Sequence, residues 1–499
     1  MEWLVPLVVC LYLLGWAGMA MERNVLAALK LCWFPFDFTF RVLGAFWSGY
    51  KWARSKWKAL HRRPAYGDAR LASEQELKAN FKGGSYCVGK MKGRALYADA
   101  EACVVMLGIR GSGKSSTMGA TLNKASGENL LVCDPPSGLY NRFRGELEAK
   151  GYRIIKIDLN DPLEGDGYDP MAFFKGSRAY DFENAMDELA RLVVIDRELD
   201  KGADTHFSEI VMNLVGALAA YLWRFKPEKA SLHEVARVLS GMGRMQLMEY
   251  LAEAQKCGDD YVKVAINAYQ RVEDKERGSV DSTMSRKTKR WMSPLYRDLC
   301  RKGWSWDEVL FTDKPVAVFV TGGVMERENI SPIMRVIFGQ CVTTLARSFS
   351  RLGRPARDTK LLIDEADLLG RCKPIFAAIT EMRKVGVSCF LGYQSLSQLK
   401  HNFGQNDAGT IIDNCDMIFT GSMKDEKAYD LVRKLMGRLT VQSMQKSKAG
   451  VSESEAGQDL QGVHDLFKMA KRKHFVLLGN KGVMCDAPWD IVRGVLVYQ

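Results

Sequence analysis

The chain has 499 residues, 47% of them hydrophobic and 26% charged; these are ordinary globular values, and the length suggests about two to four domains, which excludes a disordered, fibrous or wholly membrane-embedded chain. Lys and Arg number 71 against 59 Asp and Glu, a net charge of +12, a basic excess that permits nucleic-acid contact without demonstrating it. The twelve cysteines sit singly from Cys10 to Cys485, with no Cys-x-x-Cys pair, which disfavours a disulfide scaffold or a zinc site.

Trp3 to Met21 is free of charge, and at 1.5 Å per residue a helix of that length reaches about 28 Å, close to the hydrocarbon thickness of a bilayer. A membrane anchor is expected there rather than a cleaved signal peptide, because Glu2 is the sole charge before it and a secretory leader begins with a basic region. Leu31 to Tyr50 is rich in Trp and Phe but holds Asp37 and Arg41; it reads as a second span or as an interfacial helix. Lys51 to Arg63 then places six cations around Trp52 and Trp57, as a cytoplasmic flank at the headgroup level does. Residues 1–63 are expected to be the anchor, with everything from Pro64 onward inside the cell.

Beyond residue 64, short apolar runs alternate with helical periodicity, the pattern of an α/β fold with a parallel sheet. Strands are expected at Cys103 to Leu107, Leu130 to Cys133, Tyr152 to Leu159, Val316 to Thr321, Lys360 to Ile363, Ser388 to Tyr393, Met417 to Thr420 and His474 to Leu478. Between Asp181 and Cys300 apolar residues recur at three- and four-residue steps instead, so an all-α domain at 181–300 is expected to split a nucleotide-binding domain into 64–180 and 301–499. Lys446 to Gly462, heavy in Ser, Gly, Gln and Glu, reads as a solvated loop.

Gly108-Ile109-Arg110-Gly111-Ser112-Gly113-Lys114-Ser115 matches the phosphate-loop pattern G-x-x-x-x-G-K-[S/T], with an apolar run before it and a helix-forming run from Ser116 after it. Its glycines let the backbone turn at positive φ and bring N–H groups against phosphate oxygens. Lys114 is expected at the β- and γ-phosphates of ATP, and Ser115 at Mg²⁺. Arg110 is not specified by the pattern and reads as solvated. Lys360-Leu-Leu-Ile-Asp364-Glu365-Ala366 is a buried strand ending in two carboxylates; Asp364 is expected to hold Mg²⁺ and Glu365 to polarise the attacking water. Gln394, after the run Ser388 to Tyr393, either orients the γ-phosphate or the water, or is a hydrogen-bonding glutamine at the core edge. Arg383 stands either at a subunit edge facing a neighbour's ATP, or as a solvated, dipole-compensating residue at a helix end.

With these motifs in place, the chain resembles the TraG/TraD-like family of type IV secretion coupling proteins, the conjugative DNA-transfer ATPases. The resemblance rests on Tyr66-Gly-Asp-Ala-Arg-Leu-Ala72 with Glu76-Leu77, Asp134-Pro135, Tyr168-Asp-Pro170, Leu362-Ile-Asp-Glu-Ala366, Arg383-Lys-Val-Gly-Val387, and Gln394-Ser-Leu-Ser-Gln-Leu399 followed by Phe403-Gly404. It implies a RecA-like P-loop NTPase with an inserted all-α domain and an N-terminal transmembrane anchor, assembled as a homo-hexamer on the cell inner membrane. That ring would hydrolyse Mg-ATP between subunits and pass relaxase-bound single-stranded DNA, or protein, to the secretion channel; the alternative is an ATP-binding receptor or scaffold that docks protein effectors without moving DNA. Arg383 then resembles the family's arginine finger acting in trans, and Gln394 its γ-phosphate sensor. One departure stands out: the family often has Asp-Pro-Lys-Gly-Glu after the second strand, whereas this chain has Asp134-Pro135-Pro136-Ser137-Gly138. The chain stops at Gln499 without a long acidic tail, so substrate selection is expected to use the helical domain or separate adaptors.

Overall fold

The computed structural model describes residues 47–54, 84–174, 179–195, 203–301, 303–322, 327–420, 425–436, 438–447, 450–459, 473–478 and 481–486. The expected anchor lies outside these residues except for 47–54, which are helical with Trp47, Tyr50 and Trp52 exposed. Among the described residues no helix is long and apolar enough to cross a membrane. The Tyr66 to Ala72 element also lies outside them.

The strands in chain order are β1 (Tyr86–Met91), β2 (Arg94–Ala98), β3 (Val104–Gly108), β4 (Asn129–Asp134), β5 (Arg153–Asp158), β6 (Val316–Thr321), β7 (Thr359–Ile363), β8 (Val387–Tyr393), β9 (Asp416–Thr420), β10 (Arg438–Ser447), β11 (Gly450–Asp459), β12 (Lys473–Leu478) and β13 (Lys481–Asp486). All but β10 and β11 form one sheet in the order β2-β1-β13-β12-β9-β3-β8-β7-β4-β6-β5. From β9 to β5 every pairing is parallel, while β12, β13, β1 and β2 add an antiparallel flank. The parallel strands are apolar because both of their faces are covered. Val105, Leu107, Leu131 and Leu361 face one cluster of buried residues, and Val104, Met106, Leu130 and Leu362 face the other, the two-residue alternation of a pleated strand.

The second of these faces is covered by α1 (Lys114–Asn123) and α2 (Gly138–Ala149), through Met118, Leu122, Leu139, Phe143 and Leu147. Between β5 and β6 the described residues form helices only, chiefly α3 (Ala179–Val194), α4 (Ala203–Phe225), α5 (Arg244–Gln255), α6 (Asp260–Gln270) and α7 (Asp274–Thr288). After β6 come α8 (Arg327–Leu352), α9 (Lys373–Thr380), α10 (Leu396–Asn414) and α11 (Glu426–Met436). Met186 and Leu189 of α3, Ile333 and Ile337 of α8, and Ile375 and Ile379 of α9 all join the core of the first face. Two helical layers thus enclose the sheet.

One expectation is corrected. Lys446 to Gly462 is not simply a loop: β10 and β11 pair as a two-stranded sheet from Arg438 to Asp459, with residues 448–449 and 460–462 outside the described ones. Backbone pairing satisfies N–H and C=O groups whatever the side chains are, so a ribbon rich in Ser, Gln and Glu leaves little hydrophobic signature. The flanking strands β1, β2 and β13 escaped the sequence reading for a related reason: they are short and carry Gly, Lys or Arg beside their apolar residues.

Candidate active site

The parallel register aligns the carboxyl ends of the central strands. Leu107 pairs with Tyr393, Ile363 with Leu391, Cys133 with Ile363, and Asp134 with Thr321. Consequently Gly108, Gln394, the Asp364-Glu365 pair and Asp134 emerge side by side at one sheet edge, where open α/β sheets bind their ligands.

Gly108 ends β3, and the loop turns with φ of +76° at Gly111 and +107° at Gly113 before α1 begins. A Cβ built on Gly111 would meet nothing within 4 Å, so there it is left-handed geometry and not crowding that favours glycine. Lys114 is only 8% exposed, and its ammonium donates back across the loop to the Gly108 carbonyl at 2.7 Å. Burial pulls its pKa down, opposed by the nearby Asp364 and Glu365 carboxylates. Arg110 is exposed at the tip, Ile109 and Ser115 are half-buried, and Ser112, Gly113 and Ser116 are buried.

Ser115 Oγ donates to Asp364 Oδ2 at 2.6 Å. The other carboxylate oxygen, Oδ1, is buried and has no hydrogen-bond partner among the described residues. Burial lifts the Asp364 pKa, against the Ser115 hydrogen bond and the Lys114 charge. A hydroxyl and a carboxylate with a spare buried oxygen form a hard-oxygen pair that suits a divalent cation such as Mg²⁺. Gln394 Nε2 donates to Glu365 Oε1 at 3.0 Å. Its backbone is held too: Gln394 N–H donates to Gln398 Oε1 at 2.8 Å, while Gln398 N–H donates to Ser395 Oγ, the N-cap of α10. This arrangement closely follows a capping box and gives Gln398 a place that sequence reasoning missed, although the Ser-x-x-Gln spacing carried the signal.

Lys114, Ser115, Asp364, Glu365 and Gln394 are therefore brought together. Arg383 is not. It precedes β8, so the seven residues of that strand, about 23 Å at roughly 3.3 Å each, separate it from Gln394. At that opposite edge Arg383 is 67% exposed, donating through Nε to Glu101 Oε2 at 3.0 Å.

Two further residues shape the site. Asp134 is buried at the end of β4 and accepts from the Tyr140 N–H at 2.8 Å in the first turn of α2; burial raises its pKa to about 6, with Asp364 adding to the effect. The turn between them holds Ser137 at φ +59°, the left-handed conformation that glycine, the residue the family pattern often has there, adopts without strain. Gly392, inside β8, was also missed, although a glycine in a strand signals close backbone approach. A Cβ there would stand 2.3 Å from the Asp364 carbonyl oxygen. Gly392→Ala is expected to destabilise the fold by about 1 to 3 kcal/mol, seen as a lower denaturation midpoint; an unchanged midpoint would show that β8 can withdraw from Asp364 freely.

A phosphate loop opening a helix on a parallel strand, with an Asp-Glu strand end two strands away in the sheet, defines the P-loop nucleoside-triphosphatase class. Residues 67–483 match the family model described as type IV secretory system conjugative DNA transfer, and the chain belongs to that family. It is 22% identical over 324 residues to the type IV secretion system-coupling protein VirD4 of Bartonella quintana, covering 64% of this chain and 46% of that one. It is 23% identical over 338 residues to the conjugal transfer protein TraG of Escherichia coli, covering 63% and 53%. The chain thus spans about half the length of these relatives. Its fold is RecA-like, as in the plasmid coupling protein TrwB. The TrwB complex with the GTP analogue GDPNP superposes with a TM-score of 0.65 at 18% identity, over 88% of this chain and 97% of that one. The complex with ADP and Mg²⁺ gives 0.64 at 18% identity, over 85% and 94%.

Proposed function

We propose that this protein is a membrane-anchored, Mg-ATP-hydrolysing coupling protein that delivers relaxase-bound single-stranded DNA to a type IV secretion channel, working as a homo-hexamer at the inner membrane. The observation that carries the reading is the meeting of the phosphate loop with the acidic strand end, Ser115 Oγ to Asp364 Oδ2 at 2.6 Å. Family membership supports the coupling role, and the nucleotide complexes of TrwB, one of them with Mg²⁺, support the ligand.

The loop from Gly108 to Ser116 would wrap the phosphates with backbone N–H groups, and Lys114 would transfer its ammonium from the Gly108 carbonyl to the β- and γ-phosphate oxygens. Ser115 and Asp364 would hold Mg²⁺, which when bound neutralises charge between the β- and γ-phosphates. Glu365 would take a proton from the attacking water, with Gln394 fixing the plane of its carboxylate through the 3.0 Å hydrogen bond. Arg383, on the far edge of its own sheet, would serve the ATP of the adjacent subunit. Cations facing the ring pore would track the phosphate backbone of the strand.

The test is ATP turnover by the full chain with and without single-stranded DNA across a salt series. DNA should raise the rate, with an effect that weakens as salt rises. A rate indifferent to DNA at every salt concentration overturns DNA translocation and favours the receptor that docks protein effectors.

A further inference from the structure

The turn that carries Glu365 is tied to the helices inserted between β5 and β6 by one buried cation. Arg335, on α8, is 1% exposed. Its Nε donates to the carbonyl of Leu192 at 2.8 Å, and its NH1 to the carbonyl of Leu369 at 3.2 Å. Leu192 lies in the last turn of α3, where helical carbonyls lack an intrahelical donor and the helix dipole favours a cation. Leu369 ends the single 3-10 turn Ala366–Leu369, which begins immediately after Glu365. Bridging two such carbonyls suits the planar guanidinium fork, which presents several donors at fixed angles; a lysine offers one ammonium head.

The packing around this bridge leaves little room for play. One turn further along α8, a Cβ built on Gly339 would stand 2.5 Å from Cδ2 of Leu192, and Leu192 itself is buried. The end of α3 therefore lies directly against the α8 backbone. Farther along the helix, Gln340 Nε2 donates to the Pro170 carbonyl at 3.0 Å, at the start of the segment leading into α3. A shift of α3 along α8 has to strain the Arg335 bridge or carry Leu369, and the Glu365 turn with it.

We infer that Arg335 is a positioning residue that couples the helices between β5 and β6 to the Glu365 turn, so that substrate engaged by those helices sets the rate of hydrolysis. This rests on the reading of the chain as a DNA-responsive ATPase. Arg335 touches neither nucleotide nor water in this scheme; it acts through Leu369.

Three variants of the full chain test it. Arg335→Met keeps the length and removes both donors; Arg335→Lys keeps the charge; Gly339→Ala leaves Arg335 intact and displaces Leu192. With single-stranded DNA present, Arg335→Met should lower kcat at least about fivefold, the lower end of ordinary coupling between sites. KM for ATP should stay within about twofold and the DNA-free rate should be unchanged, a split that general loss of structure does not produce. Arg335→Lys should recover part of the response, and Gly339→Ala should lose it. Stimulation as in the unaltered chain in both Arg335→Met and Gly339→Ala overturns the inference. If Arg335→Met does not fold, Arg335→Lys and Gly339→Ala decide by the same criteria. An unaltered chain that ignores DNA overturns the proposed function instead, and amide hydrogen exchange without nucleotide then tests the bridge separately. Gly339→Ala should speed exchange at 190–195 and at 366–370 together, and acceleration at one end alone defeats the coupling.

Discussion

Glu365→Gln is expected to leave ATP bound and to slow its hydrolysis about 10²- to 10⁴-fold, the usual contribution of a positioned general base. The substitution is nearly isosteric and removes the proton acceptor while keeping an oxygen that can accept from Gln394 Nε2, now 3.0 Å from Glu365 Oε1. Asp364, Ser115 and Lys114 are untouched, so nucleotide affinity should stay within a few-fold of the unaltered chain. Single-turnover hydrolysis measured beside equilibrium binding of a fluorescent ATP analogue separates the two effects. Full turnover in this variant would remove Glu365 from the chemistry and leave the Asp-Glu strand end as a cation site alone. Transport persisting without hydrolysis would favour the receptor reading over the motor.

The second large effect belongs to Arg383. An arginine stabilising the charge on a transferring phosphoryl group is worth about 10³ to 10⁵ in kcat, so Arg383→Ala should be nearly inactive. Lys114→Ala should be inactive as well, because the phosphates lose their ammonium. Within one chain these residues stand at opposite ends of the parallel strands, Lys114 after β3 and Arg383 before β8. If the arginine acts in trans, rings assembled from the two variants co-expressed in equal amounts contain interfaces at which an intact phosphate loop meets an intact Arg383 from the next subunit. Random assortment makes those about a quarter of all interfaces in a closed ring, and turnover should return to that order. Mixed rings that assemble yet stay inactive would assign Arg383 to its local contacts. Those contacts are modest: an exposed, solvent-screened pair with Glu101 adds little to stability, and breaking it cannot account for a thousandfold loss.

The central strands were legible because parallel strands covered on both faces must be apolar along their whole length. The runs around Val105, Leu131, Phe319, Leu362 and Phe390 therefore mark β3, β4, β6, β7 and β8 to within a residue or so. The phosphate loop was legible for a different reason: wrapping an anion in backbone N–H groups requires glycine at set positions, and that requirement is local. The flanking strands β1, β2 and β13 carry no such constraint. Gly392 carried a weak mark, yet what it makes room for, the Asp364 carbonyl, lies 28 residues away in the chain.

Residue chemistry at short range, apolar runs, a glycine-rich turn, a pair of carboxylates, was written in the linear chain and sufficed for the fold class and for most of the site's members. Which strands lie beside β8 depends on pairings between residues from 28 to nearly 300 positions apart, and only the folded sheet set β8 between β3 and β7. That order puts Gln394 against Glu365, sends Arg383 to the far edge, and leaves Arg335 spanning two helix ends that no local pattern connects. The physical reason is that strand order and helix packing minimise the free energy of the whole buried core, a sum in which no short stretch of sequence holds a deciding share.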